Sequence, residues 1–224
     1  MDTLTIARLD NLFWLGRYVE RVYQTIRSYM TGYDKMIDSN ENCYHSICVV
    51  LGIPDTYSSK EDFITRFGFD SQDSFSIVSN ANRAYDNAML IRDEISTDTL
   101  AYIHLAISDL QKAKEDSSPM IFMQKVLDDI LAFWGCLDDE VYEGNIRNTV
   151  KVGKRIERLD LYTRLKKSKE ELQREFERLH HRIKTSSLKY SKAALMHVAA
   201  LVEEDSVNYN EILSQVSRII PAIM

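Results

Sequence analysis

The chain has 224 residues, of which 45% are hydrophobic and 28% are charged, and this composition indicates a globular protein and not a disordered one. Only 7 Gly and 3 Pro interrupt it, too few for the turns of an all-β fold. The net charge of −6 argues against general nucleic-acid binding, because displacing counterions from phosphates requires clustered basic side chains.

Apolar residues recur at intervals of three and four along most of the chain, and this spacing predicts helices. Ser59 and Ser96 are expected to cap helices, Gly52 to end one, and the segment between Gly135 and Gly144 to be irregular. A kink is expected near Ser168. No stretch alternates with period two, so we predict an all-α fold, a single multi-helix bundle that forms one domain over residues 1–224. The predicted helices span about 4–40, 43–51, 60–68, 75–95, 97–114, 119–134, 145–186, 190–203 and 206–220.

The expected compartment is the cytoplasm. No apolar run reaches the ~20 residues that span a bilayer, and the N-terminus MDTLTIARLD lacks the apolar segment of a signal peptide. Three cysteines, an odd number, are expected to be free thiols.

A charged motif occurs twice, as FWLGRYVERVYQTIR (Phe13 to Arg27) and as VKVGKRIERLDLYTR (Val150 to Arg164), at an offset of 137 positions. At 100° per residue, the glycine, the glutamate and the last arginine of each copy share one helix face. The arginine that follows each glutamate points to the flank of that face. The matched pairs are Gly16 and Gly153, Glu20 and Glu157, Arg21 and Arg158, and Arg27 and Arg164.

A glycine inside a helix costs ~1 kcal/mol relative to alanine, so two matched glycines indicate close packing against a backbone or a ligand. A glutamate on the same face is expected to be partly buried and to need a cationic partner. An antiparallel crossing centred on Tyr23-Gln24 and Asp160-Leu161 would pair Glu20 with Arg164 and Arg27 with Glu157. A parallel crossing at the glycines would instead bring the two glutamates together, where they would repel each other.

The motifs resemble those of the alpha-E domain family, all-helical bacterial proteins named for a Glu-Arg motif. The resemblance is carried by LDNLFWLGRYVERVYQTIR (Leu9 to Arg27), VGKRIERLDLYTRL (Val152 to Leu165) and FDSQDSFSIVSNANRAYDNAMLIRDEIS (Phe69 to Ser96), and it is strongest over residues 4–170. It implies a gene beside, or fused to, those of ATP-grasp-type amide ligases and transglutaminase-like proteins, and hence a role in peptide synthesis or modification. The residues selected as motif or possible binding positions are Gly16, Arg17, Glu20, Arg21, Arg27, Arg92, Gly153, Glu157, Arg158 and Arg164.

The preferred function is that of a non-catalytic helical partner or scaffold in such a ligase system, with no cofactor, metal, nucleic acid or membrane. The alternative is an enzyme or a small-anion receptor whose pocket is the paired motifs, because arginines bind carboxylates and phosphates. A filled contact between the motifs would favour the partner role, and an anion held there would favour the receptor.

Other polar residues are expected to be structural. The segment Cys43 to Cys48, which includes His45, lacks the ligand spacing of a zinc site. A di-metal centre would need more Glu-x-x-His motifs than the one formed by Glu177 and His180. The charged run of residues 166–182 is predicted to be a solvated helix face. Arg92, at the end of a predicted helix, is expected to pack towards the motifs and away from solvent.

Overall fold

Helices account for all the regular structure in the computed structural model, which describes residues 5–38, 43–116 and 118–221. Ten helices lie in these ranges, and none of the described residues forms a strand. The predicted all-α fold is therefore confirmed. In chain order the helices are α1 (Ile6–Asp38), α2 (Tyr44–Leu51), α3 (Lys60–Phe69), α4 (Ile77–Leu90), α5 (Thr97–Glu115), α6 (Pro119–Glu140), α7 (Gly144–Arg164), α8 (Lys169–Ile183), α9 (Lys192–Glu203) and α10 (Tyr209–Ile219).

The helix ends follow local side-chain chemistry, as predicted. The Ser59 side chain accepts a hydrogen bond from the Asp62 backbone nitrogen at the start of α3, and the Ser96 side chain caps α5 in the same way. Gly52 ends α2 in the left-handed conformation, with φ of 67°, where a residue without a Cβ atom is favoured.

Two predicted boundaries are wrong because packing outweighs local signals. α6 continues through Gly135 to Glu140, since the burial of Trp134 and Leu137 offsets the ~1 kcal/mol cost of one glycine. The irregular segment shrinks to residues 141–143. α4 ends at Leu90, and Ile91 and Ile95 remain buried in the turn that follows, so the apolar spacing continues past the end of the helix.

The long helix predicted over residues 145–186 is two helices. α7 ends at Arg164, and Lys166 then adopts a left-handed φ of 50° that breaks the chain direction. Ser168 begins α8 with a full capping box: its side chain accepts from the Glu171 backbone, and the Glu171 side chain accepts from the Ser168 backbone. The kink expected near Ser168 is therefore a complete break.

The chain divides into two compact units, Met1–Arg17 with Tyr142–Met224, and Tyr18–Val141. In the first unit, α7 packs against α8 and α10, and α9 packs against α8 and α10. Its core is formed by apolar side chains such as Val152, Leu172 and Val198, and Phe13 of α1 joins this core. The single domain over residues 1–224 stays a prediction.

In the second unit, α5 packs along α6, α4 packs against α5, and α3 contacts both α4 and α5. An aromatic cluster fills the space beside α3, where the Phe63 and Phe67 rings stack with centroids 4.8 Å apart. The buried Tyr29 joins it and donates a hydrogen bond to the Ile64 carbonyl oxygen at 3.1 Å. None of the helices in the described ranges is both long enough and apolar enough to cross a bilayer.

Candidate functional site

Gly16 of α1 and Gly153 of α7 lie where two backbones approach each other within the first unit. A Cβ atom added to Gly16 would overlap the Val150 carbonyl oxygen and lie 3.1 Å from the Lys154 nitrogen. A Cβ atom added to Gly153 would overlap the Phe13 carbonyl oxygen and lie 3.0 Å from the Arg17 nitrogen. The matched glycines were expected to pack closely against a backbone or a ligand, and the structure shows packing against a backbone.

This crossing has two-fold character. Val150 and Lys154 stand three residues before and one residue after Gly153, and Phe13 and Arg17 stand in the same positions relative to Gly16. Each glycine therefore meets the same two backbone positions of the other copy. The repeat in sequence is thus a repeat in contact geometry.

The glutamate of the second copy is buried beside this crossing. Glu157 is 2% exposed, and its Oε2 accepts a hydrogen bond from Arg17 Nε at 2.7 Å and forms an ion pair with Arg17 Nη2, also at 2.7 Å. The Arg17 guanidinium also lies 5.0 Å from the centroid of the Trp14 ring. A buried carboxylate needs such a cation, because an unpaired buried charge costs several kcal/mol.

The predicted partner of Glu157 is wrong. The partner is Arg17, whereas Arg27 is exposed and lies over the Tyr23 ring. The reason is that backbones approach most closely where the Cβ atoms are missing, so the crossing is centred on the glycines and not on Tyr23-Gln24. Arg17 directly follows one of those glycines and reaches Glu157 from there.

Glu20, Arg21 and Arg164 each have a contact within their own helix. Glu20 is fully buried and accepts a hydrogen bond from Gln24 Nε2 at 2.7 Å. The Arg21 guanidinium lies 5.4 Å from the centroid of the Tyr18 ring. Arg164, the predicted partner of Glu20, donates to Asp160 one turn earlier at 2.8 Å.

One further buried carboxylate was not predicted from the sequence. Glu175 of α8 is 3% exposed, although the run of residues 166–182 was predicted to be a solvated face. Its Oε2 accepts from Arg155 Nη1 at 2.6 Å, and its Oε1 accepts from Arg178 Nη1 at 2.8 Å and lies 3.9 Å from Arg158 Nη1. The signal was present, because Glu175 falls between Leu172 and Leu179 on the apolar face of α8.

Arg155, one of the arginines beside Glu175, is itself partly desolvated. Burial lowers the pKa of the Arg155 guanidinium, and the adjacent Glu175 carboxylate opposes that shift. The Nε atom of Arg155 is buried without a hydrogen-bond partner. Arg158, the arginine of the second Glu-Arg motif, lies near the same carboxylate and so belongs to this network between α7 and α8.

The prediction for Arg92 is wrong. Its side chain is 66% exposed, and its nearest acidic group is that of the adjacent Asp93, 3.9 Å away. α4 already ends at Leu90, so Arg92 lies in the turn after the helix, where no packed face holds it inward.

The cysteine and histidine cluster contributes helix packing and a surface ion pair. His45 Nδ1 pairs with Asp55 Oδ2, and both side chains are partly exposed. Cys48 is buried, and burial raises the pKa of its thiol to about 11, with a further contribution from Asp55. All three cysteines are free. Within the described residues no three or more His, Cys, Asp or Glu side chains are grouped so that they could hold a metal ion.

The sequence profile of the Alpha-E family, described as a predicted alpha-helical domain with a conserved ER motif, matches residues 8–211. The chain belongs to the Alpha-E family. The match reaches past the limit at residue 170 given by the motifs and includes α8 and α9. Among curated proteins and among solved structures, no match to this chain was found. In this Alpha-E chain, the second ER motif supplies one buried carboxylate, that of Glu157, and one cation of the Glu175 network.

Proposed function

We propose that this Alpha-E protein is a non-catalytic helical partner, or scaffold, in an ATP-grasp-type amide-ligase or peptide-modification system. The observation that supports this proposal is the closed contact at the second motif. The glycine crossing leaves no room for a side chain, and the carboxylate of Glu157 is 2% exposed and bonded to Arg17. A motif that is used for helix packing leaves the outer surface of the protein to perform the function.

The class of partner rests on the resemblance of the motifs to a family whose genes accompany those of ATP-grasp-type ligases. A scaffold needs a rigid body more than a pocket, and the buried ion pairs of α7 supply rigidity by fixing the helix register. In this proposal the protein holds the ligase or presents its peptide substrate.

Co-expression tests the proposal. The tagged chain is produced with an ATP-grasp-type ligase from the same genome, and the eluate is analysed by size-exclusion chromatography and by ligase turnover. We expect co-elution and a change in turnover when this chain is present. Separate elution together with unchanged turnover would overturn the proposal.

A matched pair of variants separates a structural motif from a ligand-binding one. Glu157→Gln changes the buried glutamate, and Glu177→Gln changes an exposed glutamate of α8. We expect Glu157→Gln to lower ligase binding only in proportion to its loss of folded protein, measured by circular dichroism, and Glu177→Gln to leave both unchanged. A folded Glu157→Gln protein that has lost its activity would assign the motif to chemistry.

We infer a small-anion receptor as the second candidate, because one observation favours it. Two guanidinium groups, those of Arg155 and Arg178, bond to the single carboxylate of Glu175, so these three side chains carry one more positive than negative charge. Arg178 is half exposed and reachable from solvent. Titration with inorganic phosphate, followed by NMR, tests this role, and the absence of saturable shifts around α8 would exclude it.

A further inference from the structure

Helix α9 buries one face and carries a short exposed apolar stretch on the other. Its inner face buries five side chains against α8 and α10, those of Ala194, Leu195, Val198, Leu201 and Val202. On its outer face Met196 is 62% exposed and is flanked by the exposed Ala193 and Ala200. The other exposed residues of α9 are Lys192, His197 and Glu203. At 100° per residue His197 lies at the edge of this face, so the apolar stretch lies between two charged ends.

The outer face carries one cation at its start and one anion at its end. At 100° per residue, Lys192 and Glu203 both lie within roughly 40° of the direction of Met196. Neither side chain forms an ion pair in the part of the chain that the structure describes, and the Glu203 carboxylate accepts only from the neutral Gln173. Opposite charges at the two ends of one apolar stripe are the pattern that complements itself when a second, antiparallel helix is laid on it.

We propose that the outer face of α9 binds α9 of a second copy of this chain, in an antiparallel pair about a two-fold axis. Facing residues in such a pair have numbers with a constant sum. Lys192 opposite Glu203 gives 395, and Met196 opposite Ala199 gives 395 as well. The register that pairs the charges therefore also places each methionine side chain over an alanine of the other copy, where there is room for it.

The interface in this proposed pair is small. A 12-residue helix is about 18 Å long, so two such helices bury several hundred Å², below the ~1,200 Å² typical of stable complexes. The pair is therefore weak, with a dissociation constant on the order of 100 μM. This self-association is independent of the proposed ligase role.

Sedimentation equilibrium from about 10 μM to 1 mM protein tests the proposal, because it covers both sides of that dissociation constant. We expect a monomer–dimer equilibrium for the natural chain and a monomer throughout for Met196→Glu, which places a charge at the centre of the stripe. Ile121→Glu is the matched control, since Ile121 is 60% exposed on α6, and it should dimerise like the natural chain.

Charge reversal tests the register, even if Met196→Glu folds poorly. Lys192→Glu and Glu203→Lys each place two like-charged pairs in the dimer, so each should weaken it by roughly tenfold. The two substitutions together restore opposite charges and should restore the dimer. Circular dichroism checks that every variant is folded.

Three results would overturn the proposal. The first is a natural chain that stays monomeric over the whole concentration range. The second is a double charge reversal that associates no better than the single ones. The third is a monomeric natural chain that co-elutes with the ligase, together with a Met196→Glu variant that does not. In that case the α9 face would bind the ligase and not a second copy.

Discussion

Replacing the glycines at the crossing tests whether the repeated motif is a packing device. In an ordinary helix, Gly→Ala stabilises a protein by ~1 kcal/mol, because alanine has the highest helix propensity. At Gly16 and Gly153 the new methyl group would overlap a backbone carbonyl oxygen of the facing helix. A carbonyl that belongs to a helix cannot rotate away as a flexible side chain can, so the helices must separate.

The expected loss of stability is the steric cost of the overlap minus the gain in helix propensity. Forcing an extra methyl group into a packed contact costs about 1–3 kcal/mol, and the upper end applies where both sides are backbone. After subtraction of the propensity gain of ~1 kcal/mol, Gly16→Ala and Gly153→Ala should each lower the free energy of unfolding by about 2 kcal/mol. The double variant should lose less than the sum, because one displacement of the helices relieves both overlaps.

The chain contains its own control for this experiment. Gly135 lies inside α6, and a Cβ atom added there has no other atom within 4 Å. Gly135→Ala should therefore raise the free energy of unfolding by about 1 kcal/mol. Urea denaturation followed by circular dichroism measures the four variants and the natural chain. If Gly16→Ala proved as stabilising as Gly135→Ala, the close crossing would be refuted.

Three further predictions concern buried charge. Arg17→Met should destabilise by about 3–5 kcal/mol by removing a cation that is bonded to the buried Glu157 carboxylate, and adding Glu157→Leu should recover part of this loss in urea denaturation. Glu175→Gln should destabilise the protein by a similar ~3 kcal/mol, whereas Arg178→Ala removes a half-exposed partner and should cost less than about 1 kcal/mol. Equal losses in the two variants would contradict the burial of charge at Glu175. Burial, with Asp109 and Asp128 nearby, raises the pKa of Asp129 to about 6, so the ionised folded state is penalised above that pH. Asp129→Asn should therefore stabilise the protein by about 1 kcal/mol at pH 8. Denaturation curves should show this gain shrinking as the pH falls below 6, because the natural side chain then takes up its proton. A gain that does not depend on pH would contradict the raised pKa of Asp129.

Local chemistry was predictable from the sequence, and the register between helices was not. Ser59, Ser96 and Gly52 act within one turn of their own backbone, so their roles could be read from neighbouring residues. The duplicated glycines indicated close packing because a helix rarely carries a glycine without a reason. The side chain that faces Glu157 depends on the position along the two helices at which they cross. The sequence pattern shows which residues share a helix face but not where the crossing lies.

The environments of individual charged residues were also predicted wrongly. Glu175 lies in a run that reads as solvated because charged residues surround it in sequence, yet its direction is that of Leu172 and Leu179. Counting charges along the run gave the wrong environment, and following the helix face would have given the right one. The prediction for Arg92 was wrong for a different reason: α4 ends at Leu90, so Arg92 does not lie on a helix face.

The division of the chain has a consequence for its synthesis on the ribosome. The second unit, Tyr18–Val141, is contiguous and can fold as soon as it has emerged, whereas the first unit joins the segment up to Arg17 to the segment that begins at Tyr142. At about 5–20 residues per second, roughly 6–25 s pass between the translation of these two segments. During that interval the side chain of Phe13 lacks the apolar core that will bury it. The nascent chain therefore displays an early, unprotected hydrophobic segment, and we expect chaperones that recognise such segments to bind it there until α7 arrives.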